Sequence, residues 1–293
     1  MKITLINFYS VIFIMLGVLL PGWVDAQEHL IPLGSAQHAP PERIVSLGGG
    51  VTEIIYALGQ QHRLVGLDQS SIYPTEAQSL PSIGYYRSVP IEGVLQLKPD
   101  LVIASEQAGP RHALDQLSTL GLRIERVSDQ PELDSLYKRI EQISEILGVA
   151  QRGQLMRDEL EHKLAHSYHF SSHRPDAMMV VMRSGKLLGA GRDTAAAKVM
   201  ELSALDNVLN DLSGYRPISA EIVSARLPSA LIVTTLSVQA MGGITAVREH
   251  PALRHAPAAK SGQLIVLDDL LAQGLGPRLP LAIETVRQGL IEQ

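Results

Sequence analysis

Cysteine is absent from the 293-residue chain. An exported protein of this composition folds without disulfides, which excludes a small stapled extracellular module. Aromatic residues are scarce: Phe, Trp and Tyr make up 4%, with three Phe and one Trp. An excess of positive charge is also lacking, since the net charge is −5 and the pI near 6.1, so nothing electrostatic argues for a nucleic-acid partner. Beyond the N-terminus no stretch approaches the ~20 apolar residues that span a bilayer.

Catalytic signatures are missing too. The chain has no G-x-S-x-G elbow, no H-E-x-x-H and no Walker loop with its Lys. "GAGRDT" (Gly189 to Thr194) lacks the third glycine of a dinucleotide fingerprint and reads as a tight turn with a helix N-cap at Asp193 or Thr194. "EHKLAHSYHFSSH" is the one metal-like constellation. Its His162 and His166 share a helix face at i, i+4, and His169 and His173 follow. The alternative for this cluster is a solvated helix end whose imidazoles complement the C-terminal dipole. No acidic residue or Cys stands at a fixed offset from it, and no active site is expected: the chain does not read as an enzyme.

What is present organises the chain. "MKITLINFYSVIFIMLGVLLPGWVDAQ" has Lys2, an apolar run from about Val11 to Leu20, and Val24-Asp25-Ala26, the make-up of a cleavable secretory signal over 1–26. A membrane anchor is the competing reading; Pro21, Gly22 and the V-D-A ending favour cleavage. With no Cys after the cleavage site to carry a lipid, a free periplasmic chain is expected. A polar leader (27–41) precedes an N-terminal lobe (42–131), in which "RIVSLGG", "RLVGLD", "DLVIAS" and "LRIERVS" read as strands alternating with helical stretches. That alternation predicts a parallel sheet with right-handed crossovers. Residues 132–170 form a linking segment of helical composition with no proline, and Gly148 and Gly153 leave open whether it is one long helix or two. In a C-terminal lobe (171–293), "AMMVVMR", "SALIVTT" and "QLIVLDD" read as strands, with helices over "TAAAKVMELSALDN" and "PLAIETVRQGLIEQ". The fold class is thus α/β, two Rossmann-like lobes joined through a helical linker, and the interface between them is the expected ligand site.

One loop stands out against the scarcity of aromatics. "SIGYYRS" (Ser82 to Ser88) sets two tyrosines beside an arginine where a short strand opens into a loop. Together with "VTEIIYALG", "LKPDLVIASE" and "LLAQGLGPRLPLA", it resembles the periplasmic haem-binding proteins of bacterial ABC haem importers, over nearly the whole chain from Arg43. The "VTEIIYALG…LKPDLVIAS" frame is shared with siderophore- and cobalamin-binding relatives and specifies the class III binding-protein fold. "GY-x-R" and "GLGPR" are similar to the haem branch more particularly.

The resemblance implies haem as the transported ligand, Tyr85 as axial ligand to its ferric iron, and Arg87 hydrogen-bonded to the phenolate. Chemistry supports such a pair. Phenolate is a hard oxygen donor for ferric iron, and a tyrosine of pKa ~10 needs a cation or metal to ionise near neutrality. On an extended segment, Tyr85 and Arg87 would project to one side and Tyr86 to the other. Tyr73, on a neighbouring loop, is the fallback ligand. Some family members add a His opposite the Tyr; the matching stretch here, "VVMRSGKLLGAG", has none. Five-coordinate iron or a water sixth ligand is expected, with Met182 as a soft alternative. Arg183 and Arg278, with Lys186 behind them, are the expected propionate partners. Glu53 and Glu201 match the acids with which such proteins dock on arginines of the permease dimer, which works with its ATPase; an outer-membrane haem receptor would act upstream. A monomer and modest closure about the helical linker are expected.

Overall fold

In a computed structural model, residues 40–167 and 174–291 are described. The predicted signal region, His169 and His173 lie outside them. Four short strands form the first sheet: the mainly apolar β1 (Ile44–Leu47), β2 (Leu64–Leu67) and β3 (Leu101–Ser105), and the charged edge strand β4 (Arg123–Val127). They pair in parallel in the order β2-β1-β3-β4. β1 and β3 occupy the centre and are buried on both faces, as continuous Val/Ile/Leu runs require. The crossovers carry α1 (Gly49–Ala57), α2 (Ile91–Gln96) and α3 (Arg111–Thr119). Gly59 ends α1 as expected: with φ +71 it is left-handed, and the amide of Gln60 reaches back to the Ile55 carbonyl at 3.0 Å.

The linker resolves into two helices, α4 (Leu133–Ile146) and α5 (Ala150–Ser167). Gly148 breaks them, at φ +72, by the same device. Its amide donates to the Glu145 carbonyl (3.0 Å) and that of Val149 to the Ser144 carbonyl (2.8 Å). The helices then pack on each other, so closely at Gly153 that an added Cβ would lie 2.1 Å from Ser144 Oγ. Leu136, Ile140, Ile143 and Leu147 of the first helix and Leu160 and Leu164 of the second enter a core cluster shared by both sheets.

The second sheet is mixed. β5 (Asp176–Arg183) turns back as β6 (Lys186–Ala190) through Ser184 (φ 49) and Gly185 (φ 72), a two-residue hairpin with both φ values positive. β7 (Asp206–Asn207), β8 (Tyr215–Pro217), β9 (Ala230–Thr234) and β10 (Leu264–Leu267) complete it, in the order β10-β9-β5-β6-β8 with β7 beside β5. β6 and β8 are antiparallel and escape a reading based on alternating strands and helices. "GAGRDT" is a capped turn as expected: Thr194 Oγ1 accepts the amide of Ala197 (3.0 Å) at the start of α6 (Ala195–Leu202). Among the described residues, no helix is long and apolar enough to cross a membrane.

Gly148 has open space where a Cβ would go, so Gly148→Ala tests conformation alone. It should lower the unfolding free energy by about 1–2 kcal/mol, read from the urea midpoint, and leave the ligand cleft unaltered.

Candidate functional site between the lobes

A cavity of about 840 Å³ opens where the carboxyl ends of both sheets point at each other, the usual ligand position in open α/β sheets. Loops after β1 to β4 build one wall; the end of β5, the turn after β6, the start of β8 and the loops after β9 and β10 build the other. The turn after β1 owes its shape to Asp68, a carboxylate only 2% exposed. Asp68 Oδ1 accepts the Gly48 amide (2.9 Å) and the Ser71 hydroxyl (3.0 Å). Its Oδ2 accepts the amide and hydroxyl of Ser70, at 2.9 and 2.7 Å. Four neutral donors therefore satisfy a buried charge and fix two cavity-lining loops to each other.

The tyrosine loop is fastened by backbone bonds. Ile83 donates to the Leu67 carbonyl (2.8 Å) and Gln69 to the Gly84 carbonyl (2.8 Å), which adds a single parallel bridge at Ser82 beside β2. The chain then turns: the Ser88 amide bonds the Tyr85 carbonyl (2.8 Å), and the Tyr86 carbonyl accepts from Gly109 (2.9 Å). Because Tyr85 to Ser88 form a turn, the side-to-side alternation of a strand does not apply to them. This alters the expected pairing. Arg87 Nε donates to Tyr86 Oη at 3.0 Å, and Tyr86 lines the cavity instead of pointing away. The Tyr85 ring meets the Tyr86 ring edge-on, with centroids 5.0 Å apart, and also lines the cavity. No described side chain hydrogen-bonds the Tyr85 hydroxyl. Burial holds the Tyr86 phenol above its usual range, against the pull of the Arg87 hydrogen bond and charge.

The opposite wall repeats the theme. Arg183 lies over the Tyr215 ring, 5.3 Å from its centroid, and donates to Gln273 Oε1 at 3.1 Å. Tyr215 is pushed up by burial, against the charge of the neighbouring Arg183 and, less strongly, of Arg87. Each lobe thus brings an arginine and a tyrosine to one cavity. Tyr215 carries no sequence signal, since it lies outside any recognisable motif; Tyr86 is visible in the sequence, but strand alternation puts it on the wrong side. Asp269 joins the same wall, where its carboxylate accepts the Leu236 amide at 2.8 Å and burial holds it above the usual carboxylate range.

Five expected site residues lie elsewhere. Arg278 is not in the cavity: its Nη2 donates to Glu53 Oε2 (3.2 Å), its amide donates to Glu53 Oε1 (3.1 Å), and its guanidinium covers the Tyr73 ring at 3.3 Å. Tyr73 is spent on that stack and does not line the cavity. Met182 is half-buried, packs against the apolar cluster of the second sheet and does not line the cavity; its amide donates to Ser237 Oγ at 2.8 Å. Glu53 is 3% exposed and gripped by Arg278, which removes it from the docking surface expected for it. Glu201 is exposed and pairs with Lys198 at 2.8 Å; Lys186 is exposed on β6 outside the cavity. His162 and His166 stack on α5 at 4.1 Å between centroids. Among the described residues, no group of three or more His, Cys, Asp or Glu could hold a metal ion.

A family model described as periplasmic binding protein matches residues 44–271. The chain is a periplasmic binding protein. Its fold is that of the class III members. The periplasmic heme-binding protein RhuT from Roseiflexus sp. RS-1, in apo form, is 33% identical, with a TM-score of 0.80 over 85% of this chain and 98% of that one. A periplasmic heme-binding protein from Pseudomonas aeruginosa is 34% identical, with a TM-score of 0.77 over 84% and 91%. The vitamin B12-binding protein of Pectobacterium atrosepticum is 26% identical over 89% of this chain and 92% of its own. Family membership makes this a substrate-binding component of ABC-type transport.

The Glu53–Arg278 pair gives a stability test. Burial raises the Glu53 pKa above 4.5, with Arg278 opposing. A raised folded-state pKa favours folding at low pH, and that contribution is lost as pH rises through the raised value. Glu53→Gln should abolish this decline in a pH series of urea melts. Arg278→Met, which strands the carboxylate, should cost about 3–5 kcal/mol at pH 7.

Proposed function

We propose that the cleft binds ferric haem and that the protein delivers it to an inner-membrane ABC permease without altering it chemically. The observation that carries this reading is the pairing of an unengaged phenol, Tyr85, with arginines from both walls, Arg87 and Arg183, around one cavity. A phenolate oxygen suits ferric iron, and guanidinium groups suit two propionates. A corrinoid carries amides where haem carries propionates and has less use for either. Tyr85 is the better ligand candidate because Tyr86 Oη already accepts a hydrogen bond from Arg87. The same guanidinium is close enough to act electrostatically on both phenols. For delivery, Glu201 remains an exposed acid able to meet a permease arginine, and such a rim charge would act mainly on docking rate and its salt dependence.

A hemin titration followed by absorbance tests the ligand. Wild type should develop a saturable Soret band with one ligand set, and Tyr85→Phe should shift the band and weaken binding at least about tenfold. Tyr86→Phe should leave the ligand field in place while loosening Arg87. If Tyr86→Phe shifts the band and Tyr85→Phe does not, the ligand assignment is overturned; no Soret band with wild type overturns the haem reading itself.

A further inference from the structure

The ligand reading makes no use of Arg139, which is 1% exposed and among the largest fully buried side chains. It lies on α4, one turn from Leu136 and one from Ile143, on the stripe that faces the core. A cation does not settle in such a position without partners on several sides. Its Nη1 forms an ion pair with Asp129 Oδ1. Its Nη2 donates to the Leu275 carbonyl at 2.5 Å and reaches the Gly274 carbonyl at 3.5 Å. Asp129 also accepts the Ser105 hydroxyl, at 2.5 Å, and its amide donates to Glu106 Oε1 at 2.9 Å. Asp129 and Ser105 belong to the N-terminal wall of the cavity, Gly274 and Leu275 to the C-terminal wall. One guanidinium, carried by the linker, is therefore bonded to both walls.

The glycines around it show how tight this junction is. A Cβ on Gly50 would sit 3.2 Å from the Gly274 carbonyl oxygen and 3.5 Å from Arg139 Nη1. Glu53, the other acid acting electrostatically on this region from α1, is itself tied to Arg278 just beyond Leu275. We propose that Arg139 is a positioning residue that fixes the separation of the two cavity walls, so that the cleft is preformed before ligand arrives. Opening the walls would pull a buried guanidinium from the carbonyls on one side or from Asp129 on the other. A planar fork can hold both at once; a point charge such as Lys cannot. The consequence for haem rests on the haem reading, but the effect on wall spacing does not.

The absence of cysteine makes the test direct. Ser118→Cys on α3 and Ser224→Cys on the helix Ala220–Arg226, both exposed, give one spin label per lobe. Double electron–electron resonance on ligand-free protein should show one narrow distance distribution. Arg139→Met, with its fold checked by circular dichroism, should broaden it or shift it to longer distance. Arg139→Lys should broaden it as well, which keeps the test available if the Met variant does not fold. A folded Met or Lys variant with an unchanged distribution overturns the proposal. With hemin bound, Arg139→Met should release it to apomyoglobin at least tenfold faster than the parent. If wild type takes up no hemin, the haem reading falls while the distance measurement still decides the role of Arg139.

Discussion

The carboxylate of Glu53 sits inside the protein midway along the first crossover helix, and its partner, Arg278, lies 225 residues further along the chain. Closing that distance brings the last loop of the C-terminal lobe onto the glycine turn of the N-terminal lobe. The approach is close enough that a Cβ on Gly276 would lie 2.8 Å from Glu53 Oε1. A buried pair of this kind adds little to stability over an apolar replacement, but it tolerates few alternative arrangements once the rest of the core is formed. The consequence here is geometric. Two sheets that fold from separate stretches of chain are held with their carboxyl ends facing each other, and every loop that leaves those ends has a common space to line.

Much of the frame was legible from the sequence because strand and helix runs in an α/β protein are long, apolar and regularly alternated. The strands from Ile44 to Val127 and the glycine stop at Gly59 follow from local rules alone, whereas Gly148 and Gly153 leave one helix or two open, and only the fold singles out Gly148 as the break. The hairpin of β5 and β6 was missed because antiparallel return through Ser184 and Gly185 leaves no helix between strands. The site was less legible. Composition and resemblance mark Tyr85 and Arg87, yet strand geometry misplaces their side chains because the chain turns there. Met182 and Arg278 failed for a different reason: the residue types suited haem, but tertiary packing spends one on the core and the other on Glu53. Arg139 could have been noticed as a charge on the apolar stripe of α4; only the fold shows what it touches.

What the cleft offers a ligand is a pair of half-sites, each an arginine beside a tyrosine, with polar loops between them. The N-terminal half is held by backbone bonds to β2 and by the Asp68 network behind it, so its phenols are presented on a rigid support. The C-terminal half rests on the end of β5 and on Gln273. Such an arrangement suits a planar ligand with a hard metal at its centre and anionic groups at its edge.

The relatives named for heme and for vitamin B12 make ligand choice the central question. It is answered most directly by native mass spectrometry of the protein mixed with equimolar hemin and cyanocobalamin. The expected result is a complex whose added mass is that of haem, lost in favour of apoprotein when Tyr85 is replaced by Phe and the two arginines Arg87 and Arg183 by Leu. A complex carrying the corrinoid mass instead, or no tetrapyrrole at all, would contradict it.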